Sequence, residues 1–255
     1  GSVHASDKSF NNHWGVPLTL ARMPADCDYA VFEIGMNHPG EIRPLVKMVR
    51  PHVAIVTVIA PAHLGFFRNL DEIAEAKAEI FEGLEPDGAA LLNRDDPRTR
   101  LLEKLARQAG VKRIATFGEN ARATYRLVDC GLHADHSMIA VAIGAARAGA
   151  KGEAKAEAGE EIIARIGVPG RHVAQNALAV LGAAHLLGAD LGRVSLALGD
   201  LAAEPGRGRR HLLAHPQGRI VLIDESYNAN PASMKAALAL LKATPVGDGG
   251  RRVAV

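Results

Sequence analysis

Residues 220–231 read Ile220-Val221-Leu222-Ile223-Asp224-Glu225-Ser226-Tyr227-Asn228-Ala229-Asn230-Pro231, and Ser233-Met234-Lys235-Ala236-Ala237-Leu238-Ala239-Leu240-Leu241 follows closely. The opening apolar run is short and rich in β-branched side chains, which predicts a strand buried in a parallel sheet. The Ala/Leu-rich segment predicts a helix. Pro231 falls in its first turn, where the missing N–H costs nothing. The polar octet Asp224–Pro231 is therefore expected at the carboxyl end of a parallel strand, the edge where open α/β sheets bind ligands. Asn and Pro suit an ordinary turn on conformational grounds. Acid, phenol and two amides in one short loop make a denser set than a turn requires.

Upstream, short apolar stretches alternate with helical ones. Strands are expected over 28–34, 53–58, 88–93 and 111–117, and helices over 15–22, 41–50, 70–82 and 97–108. Residues 3–14 read as polar and irregular. Pro51 stops the second helix, and Asp71 and Glu72 stand at the positive end of the third. This alternation predicts an α/β fold with a mostly parallel sheet flanked by helices. The pattern then changes. Residues 124–130, 137–143 and 162–167 predict a small antiparallel sheet, with 144–161 as a solvated turn or hairpin tip. Two Ala/Leu helices, 173–187 and 191–201, lead to the basic loop Arg207-Gly208-Arg209-Arg210.

Composition excludes several classes. The 255 residues carry a formal net charge of +2, too small to argue for nucleic acid as a partner. Cys27 and Cys130 are the only two cysteines, which supports neither a disulfide framework nor a metal quartet and fits a reducing cytosol. No stretch reads as a signal peptide. No apolar run approaches the roughly 20 residues of a membrane span. A cytoplasmic protein is expected. Aromatics make up only 4%, so the core must be chiefly Ala, Val, Leu and Ile.

Several residues stand where chemistry is expected. Glu33 ends an otherwise apolar strand and opens Glu33-Ile34-Gly35-Met36-Asn37-His38-Pro39-Gly40-Glu41, whose glycines let backbone approach a ligand. A carboxylate there suits a hard cation that takes oxygen ligands. His63 follows the next strand, in Ala60-Pro61-Ala62-His63. Lys77, in Glu75-Ala76-Lys77-Ala78-Glu79-Ile80, reads on its own as a surface lysine of a helix.

Glu225-Ser226-Tyr227-Asn228-Ala229-Asn230-Pro231 resembles a loop of the Mur ligase family, and the E-x-G-x-x-x-x-G-E pattern from Glu33 to Glu41 resembles another of its motifs. Matching segments run in family order from about residue 9 to residue 241, nearly the whole chain. The resemblance implies a magnesium site made by Glu33, His63 and Lys77, the lysine carbamylated. A carbamate turns an ammonium into an anionic oxygen ligand and needs a neutral amine, which burial favours. The resemblance also implies an ATP site. Gly170-Arg171-His172 with Asn176 matches the adenine segment, although Val173 stands where relatives often carry Asn. Asn93 borders the base, Asp224 lies near the ribose, and Tyr227 and Asn228 belong to the same loop. One arginine of the basic loop meets the nucleotide; Arg209 is the first choice, with Arg207 and Arg210 open. Asn11 and Asn12 match a segment that faces the muramoyl-peptide substrate.

Within the family the loop looks most like that of members joining D-alanyl-D-alanine to UDP-N-acetylmuramoyl-tripeptide. The implied reaction is ATP-dependent amide formation through an acyl phosphate, in peptidoglycan synthesis. No G-x-x-x-x-G-K-[ST] loop occurs in the sequence, although the family uses one to cradle phosphates. The expected organisation is a central ATP-binding domain over 1–245, with its phosphate loop upstream, and 246–255 leading into a further domain. The chain alone is then expected to be inactive. Two alternatives stand: a folylpolyglutamate-synthetase-like ligase, against which Tyr227-Asn228-Ala229-Asn230-Pro231 argues, and a non-catalytic nucleotide-binding module.

Overall fold

The computed structural model describes residues 1–61, 66–144, 160–216, 218–229 and 231–255. Its backbone contacts divide these into two compact units, Gly1–Thr124 and Tyr125–Gly144 with 160–255.

The first unit carries β1 (Val3–Ala5), α1 (Gly15–Ala21), β2 (Tyr29–Val31), α2 (Ile42–Val49), β3 (Val53–Val56), α3 (Leu70–Ala78), a 3-10 turn (Glu79–Gly83), β4 (Ala89–Asn93), α4 (Thr99–Gln108) and β5 (Arg113–Gly118). Strands β3, β4 and β5 run parallel, with Val53 opposite Ala89 and Ala89 opposite Arg113. Parallel neighbours need long crossovers, and α3 with its 3-10 turn, then α4, supply them. β4 is central and buried along its apolar length, as strands covered on both faces are. The core beside it is mostly small and aliphatic, anchored by Ile73, Phe81, Leu92 and Leu102. β1 pairs in parallel with β2. Its three residues were expected to be irregular, because so short a segment shows no periodicity.

Two helix ends explain how the loops are aimed. Arg50, beyond α2, takes the left-handed conformation (φ 51°); the following Pro51 disfavours the α region there. Asn69 caps α3 by accepting from the Glu72 N–H at 2.9 Å.

The second unit carries β6 (Tyr125–Leu132), β7 (Ser137–Ile143), β8 (Glu160–Ile166), α5 (Arg171–Leu186), α6 (Leu191–Leu198), β9 (Arg209–His215), β10 (Gly218–Asp224) and α7 (Pro231–Ala243). Strands β6, β7 and β8 are antiparallel neighbours, with Tyr125 opposite Ile143 and Ser137 opposite Ile166. Most of the expected turn over 144–161 lies outside the described residues.

One expectation is corrected. β10, which contains the Ile220–Ile223 run, pairs antiparallel with β9, Gly218 opposite His215 and Asp224 opposite Arg209. Only residues 216–217 join the two strands, and so short a link permits only antiparallel pairing. The run is also not buried: Ile220, Val221 and Leu222 are 47%, 42% and 50% exposed.

Candidate active site

Two groups of candidate residues form, one in each unit. In the first, Glu33 stands just past β2, beyond the shorter strand observed there. Asn11 Nδ2 donates to Glu33 Oε1 at 2.9 Å, and the Gly35 N–H donates to the Asn11 carbonyl at 2.8 Å. Gly35 packs closely there: a methyl group on it would lie 3.0 Å from the Asn11 amide. Asn11 thus orients the carboxylate through one oxygen and leaves Oε2 to a ligand. Asn12 has a different use for its oxygen, which accepts from the Trp14 and Gly15 N–H groups, each at 3.0 Å, at the start of α1.

Lys77 is half-buried on α3. Burial pulls its pKa below the ordinary lysine value, and the negative charge of Glu33 opposes that pull. The lysine therefore lies within the electrostatic reach of Glu33, as a shared site requires. Glu33 is thus a carboxylate held on one side, with a free oxygen of the kind hard cations take, and Lys77 is an amine biased toward neutrality. His63 lies outside the described residues.

Asn93, at the end of β4, donates to the Thr57 carbonyl at 2.8 Å and accepts from the Asp95 N–H at 2.9 Å. Its amide ties β4 to the end of β3. Asp96 does similar work: it is buried and accepts from the Ile59 N–H at 2.6 Å and the Arg98 N–H at 2.8 Å.

The second group gathers at the open end of the β9–β10 hairpin. Arg209 and Asp224 are register partners there. Asp224 accepts from the Gly206 N–H at 3.0 Å, the Ser226 N–H at 3.1 Å and the Ser226 hydroxyl at 2.7 Å. These donors, the Ser226 hydroxyl first, hold its carboxyl below the usual range. Neighbouring Glu225 is pushed up, by burial first and then by the Asp224 charge. Arg207 stacks its guanidinium 4.2 Å from the centre of the Tyr227 ring. Gly206 (φ 75°) permits this closeness, for a Cβ there would meet Tyr227 backbone and Cβ atoms at 3.0 Å. Arg210 turns away and donates to the Thr244 hydroxyl at 3.2 Å. The basic loop and the Asp224–Asn228 loop are thus brought together, with Arg207 packed on Tyr227 and Arg209 opposite Asp224 in the strand register. Asn228 is exposed, and Asn230 lies outside the described residues.

His172 and Asn176 occupy the first turns of α5, both exposed. Partial desolvation of its ring holds His172 below the usual histidine range. The carboxylate of Glu79, the hydroxyl of Ser226 and the backbone of Gly206 had no part in the sequence reading. Glu79 acts on residues distant in sequence and Gly206 through main chain; the Ser226 hydroxyl acts on Asp224 two residues before it, the one contact of the three that is local in sequence.

Residues 1–184 match the Mur ligase middle domain. The UDP-N-acetylmuramoyl-tripeptide–D-alanyl-D-alanine ligase of Rickettsia prowazekii is 34% identical over 95% of this chain and 50% of its own length. The enzyme of the same name from Escherichia coli (strain K12) is 36% identical over 93% and 48%. A crystal structure of MurF from Acinetobacter baumannii aligns with a TM-score of 0.79 at 29% identity, covering 95% of this chain and 48% of that one. The chain spans about half the length of the curated relatives it matches.

Proposed function

This chain belongs to the Mur ligase family, and from that membership we propose that it is the ATP-handling middle part of a ligase joining D-alanyl-D-alanine to UDP-N-acetylmuramoyl-tripeptide. Residues 1–245 form that domain and 246–255 lead out of it. The relatives' names carry the choice of substrates. The location is cytoplasmic, where those substrates and ATP are available; among the described residues no helix is long and apolar enough to cross a membrane.

The reaction is amide formation. ATP gives its γ-phosphoryl group to the terminal carboxylate of the tripeptide. The amine of D-alanyl-D-alanine attacks that acyl phosphate, the C–N bond forms, and phosphate leaves with its electron pair. Such chemistry depends chiefly on positioning and charge neutralisation. Glu33, Lys77 as its carbamate, and His63 would hold a magnesium ion, which would offset negative charge on the phosphate oxygens. Asn11 orients Glu33; Asn11 and Asn12 begin the segment toward the muramoyl peptide. Asp224, Arg209, Tyr227 and Asn228, with His172 and Asn176, contact the nucleotide. Asp224 is ionised at neutral pH, as a ribose hydroxyl acceptor must be.

The observation that carries this reading is the match to the family over residues 1–184, and within it the Asn11-held Glu33 with half-buried Lys77 marks the part to test. Its test is ligation by the full-length protein that contains this chain. Lys77→Ala and Glu33→Ala are each expected to lower kcat at least a thousandfold while the fold is retained by circular dichroism. Activity within tenfold of the parent in either variant refutes the assignment.

A further inference from the structure

We propose that Glu79 is a positioning residue for this site: its buried carboxylate fixes the Glu33 loop against the Lys77 helix. The inference rests on the metal site proposed above.

Glu79 is 7% exposed and stands where α3 gives way to the 3-10 turn, just beyond Lys77. Its Oε1 accepts the Gly40 N–H at 2.6 Å, and its Oε2 accepts the Arg43 N–H at 3.2 Å. The Arg43 guanidinium lies 3.7 Å away. Gly40 ends the loop that begins at Glu33, in a left-handed conformation (φ 89°) that favours glycine. One carboxylate thus grips both the end of the Glu33 loop and the first turn of α2, where N–H groups lack helical partners and the dipole favours an anion. Two acceptors on one rigid group set an angle as well as a distance.

Other contacts hold the same elements together without reaching the loop. Arg43 forms two bonds to Glu82, at 2.6 and 2.9 Å. Gly83 packs so closely that a Cβ on it would lie 2.5 Å from the Val46 carbonyl oxygen. These bind the body of α2 to the 3-10 turn. Glu79 alone of the three joins residue 40 to the helix of Lys77. Cation ligand distances are set to a few tenths of an ångström, so a loop released from Glu79 presents Glu33 badly.

The test uses the full-length protein, with manganese(II) in the presence of ADP as an EPR-visible stand-in for magnesium. Glu79→Gln keeps the shape but turns an NH2 group toward a backbone N–H. It is expected to weaken manganese binding at least tenfold. The magnesium concentration for half-maximal ligation should rise by a similar factor, with KM for D-alanyl-D-alanine unchanged. Glu82→Gln, which breaks only the outer pair, should lower the melting temperature yet leave manganese affinity within twofold. Glu79→Asp, which keeps the charge on a shorter arm, should fall between parent and Glu79→Gln and serves if the latter does not fold. Parent-like manganese affinity in Glu79→Gln, or in Glu79→Asp where that variant stands in, overturns the inference alone. So does a loss of thermal stability without a change in affinity. Manganese affinity unaffected by Glu33→Ala overturns the metal site and this inference together.

Discussion

At the scale of single residues, Lys77 gives a signed pH prediction. Only the neutral amine takes up carbon dioxide. Burial lowers the Lys77 pKa, and the Glu33 charge raises it. Removing that charge leaves burial unopposed, so the pKa falls further and the carbamate forms at lower pH. With 13C-labelled carbon dioxide and no divalent metal, a carbamate resonance is expected in the parent and absent in Lys77→Ala. In Glu33→Gln its half-maximal pH should move down; no movement, or movement upward, contradicts the reading. The nucleotide residues give a second prediction. Asn176→Ala and Asp224→Ala, in the full-length protein, should each raise KM for ATP roughly tenfold, about 1.4 kcal/mol, and leave KM for the muramoyl peptide unchanged. Unchanged ATP dependence in both removes the pocket. The reading of Glu33 rests on its place at the end of an apolar run, two residues past the strand that forms there. The reading of Lys77 rests on the family motif alone, because nothing in a local helical pattern distinguishes a lysine of a site from one facing water. Asn12 and Asn93 show the limit of residue type: each amide caps or ties backbone, and spacing alone does not reveal which side-chain atom remains for a ligand.

Among elements, α2 and the 3-10 turn after α3 set the Glu33–Lys77 geometry, and their packing is tight enough to test. In Gly83→Ala the new methyl meets the Val46 carbonyl oxygen at 2.5 Å, and main chain cannot yield as a flexible side chain can. Such overpacking costs about 1–3 kcal/mol, so the melting temperature should fall by roughly 2–4 °C per kcal/mol. Gly131→Ala is the control, since its methyl meets nothing closer than 3.6 Å. Equal melting temperatures for the two variants would show that α2 moves away freely. The helices around β3, β4 and β5 were legible because alternation of apolar strands and amphipathic helices leaves few other arrangements. The pairing of β10 was not. A short apolar run looks the same in either orientation, and the decisive fact is the two-residue link to β9, itself visible only once Arg209–His215 is recognised as a strand. The polar loop nonetheless ends β10 and opens α7 as expected, because turn chemistry does not depend on which neighbour the strand takes.

For the whole molecule, the question is whether these 255 residues carry out ligation unaided. The structure supplies an oriented Glu33 beside Lys77, and a hairpin end that gathers Asp224, Ser226, Arg207 and Tyr227. Those groups have the chemistry for a cation and for the adenosine end of a nucleotide. Triphosphate is another matter. Its β- and γ-phosphates need a loop of backbone N–H groups and a lysine at a helix start, and the sequence contains no G-x-x-x-x-G-K-[ST] pattern. Without such a cradle the γ-phosphate is neither held in line with the attacking carboxylate nor shielded from water. Orientation of this kind accounts for about 7–11 kcal/mol of a barrier, so ligation by this polypeptide alone is expected at background rate. Adenosine binding through the Asp224 and Asn176 groups should survive weakly, in the millimolar range. The measurement is phosphate release from ATP with both substrates present, on protein whose intact mass matches this sequence, beside a calorimetric titration with adenosine. Turnover at a rate typical of ligases would show that phosphate is held by groups other than such a loop. Failure to bind adenosine at all would remove the hairpin end from the nucleotide site.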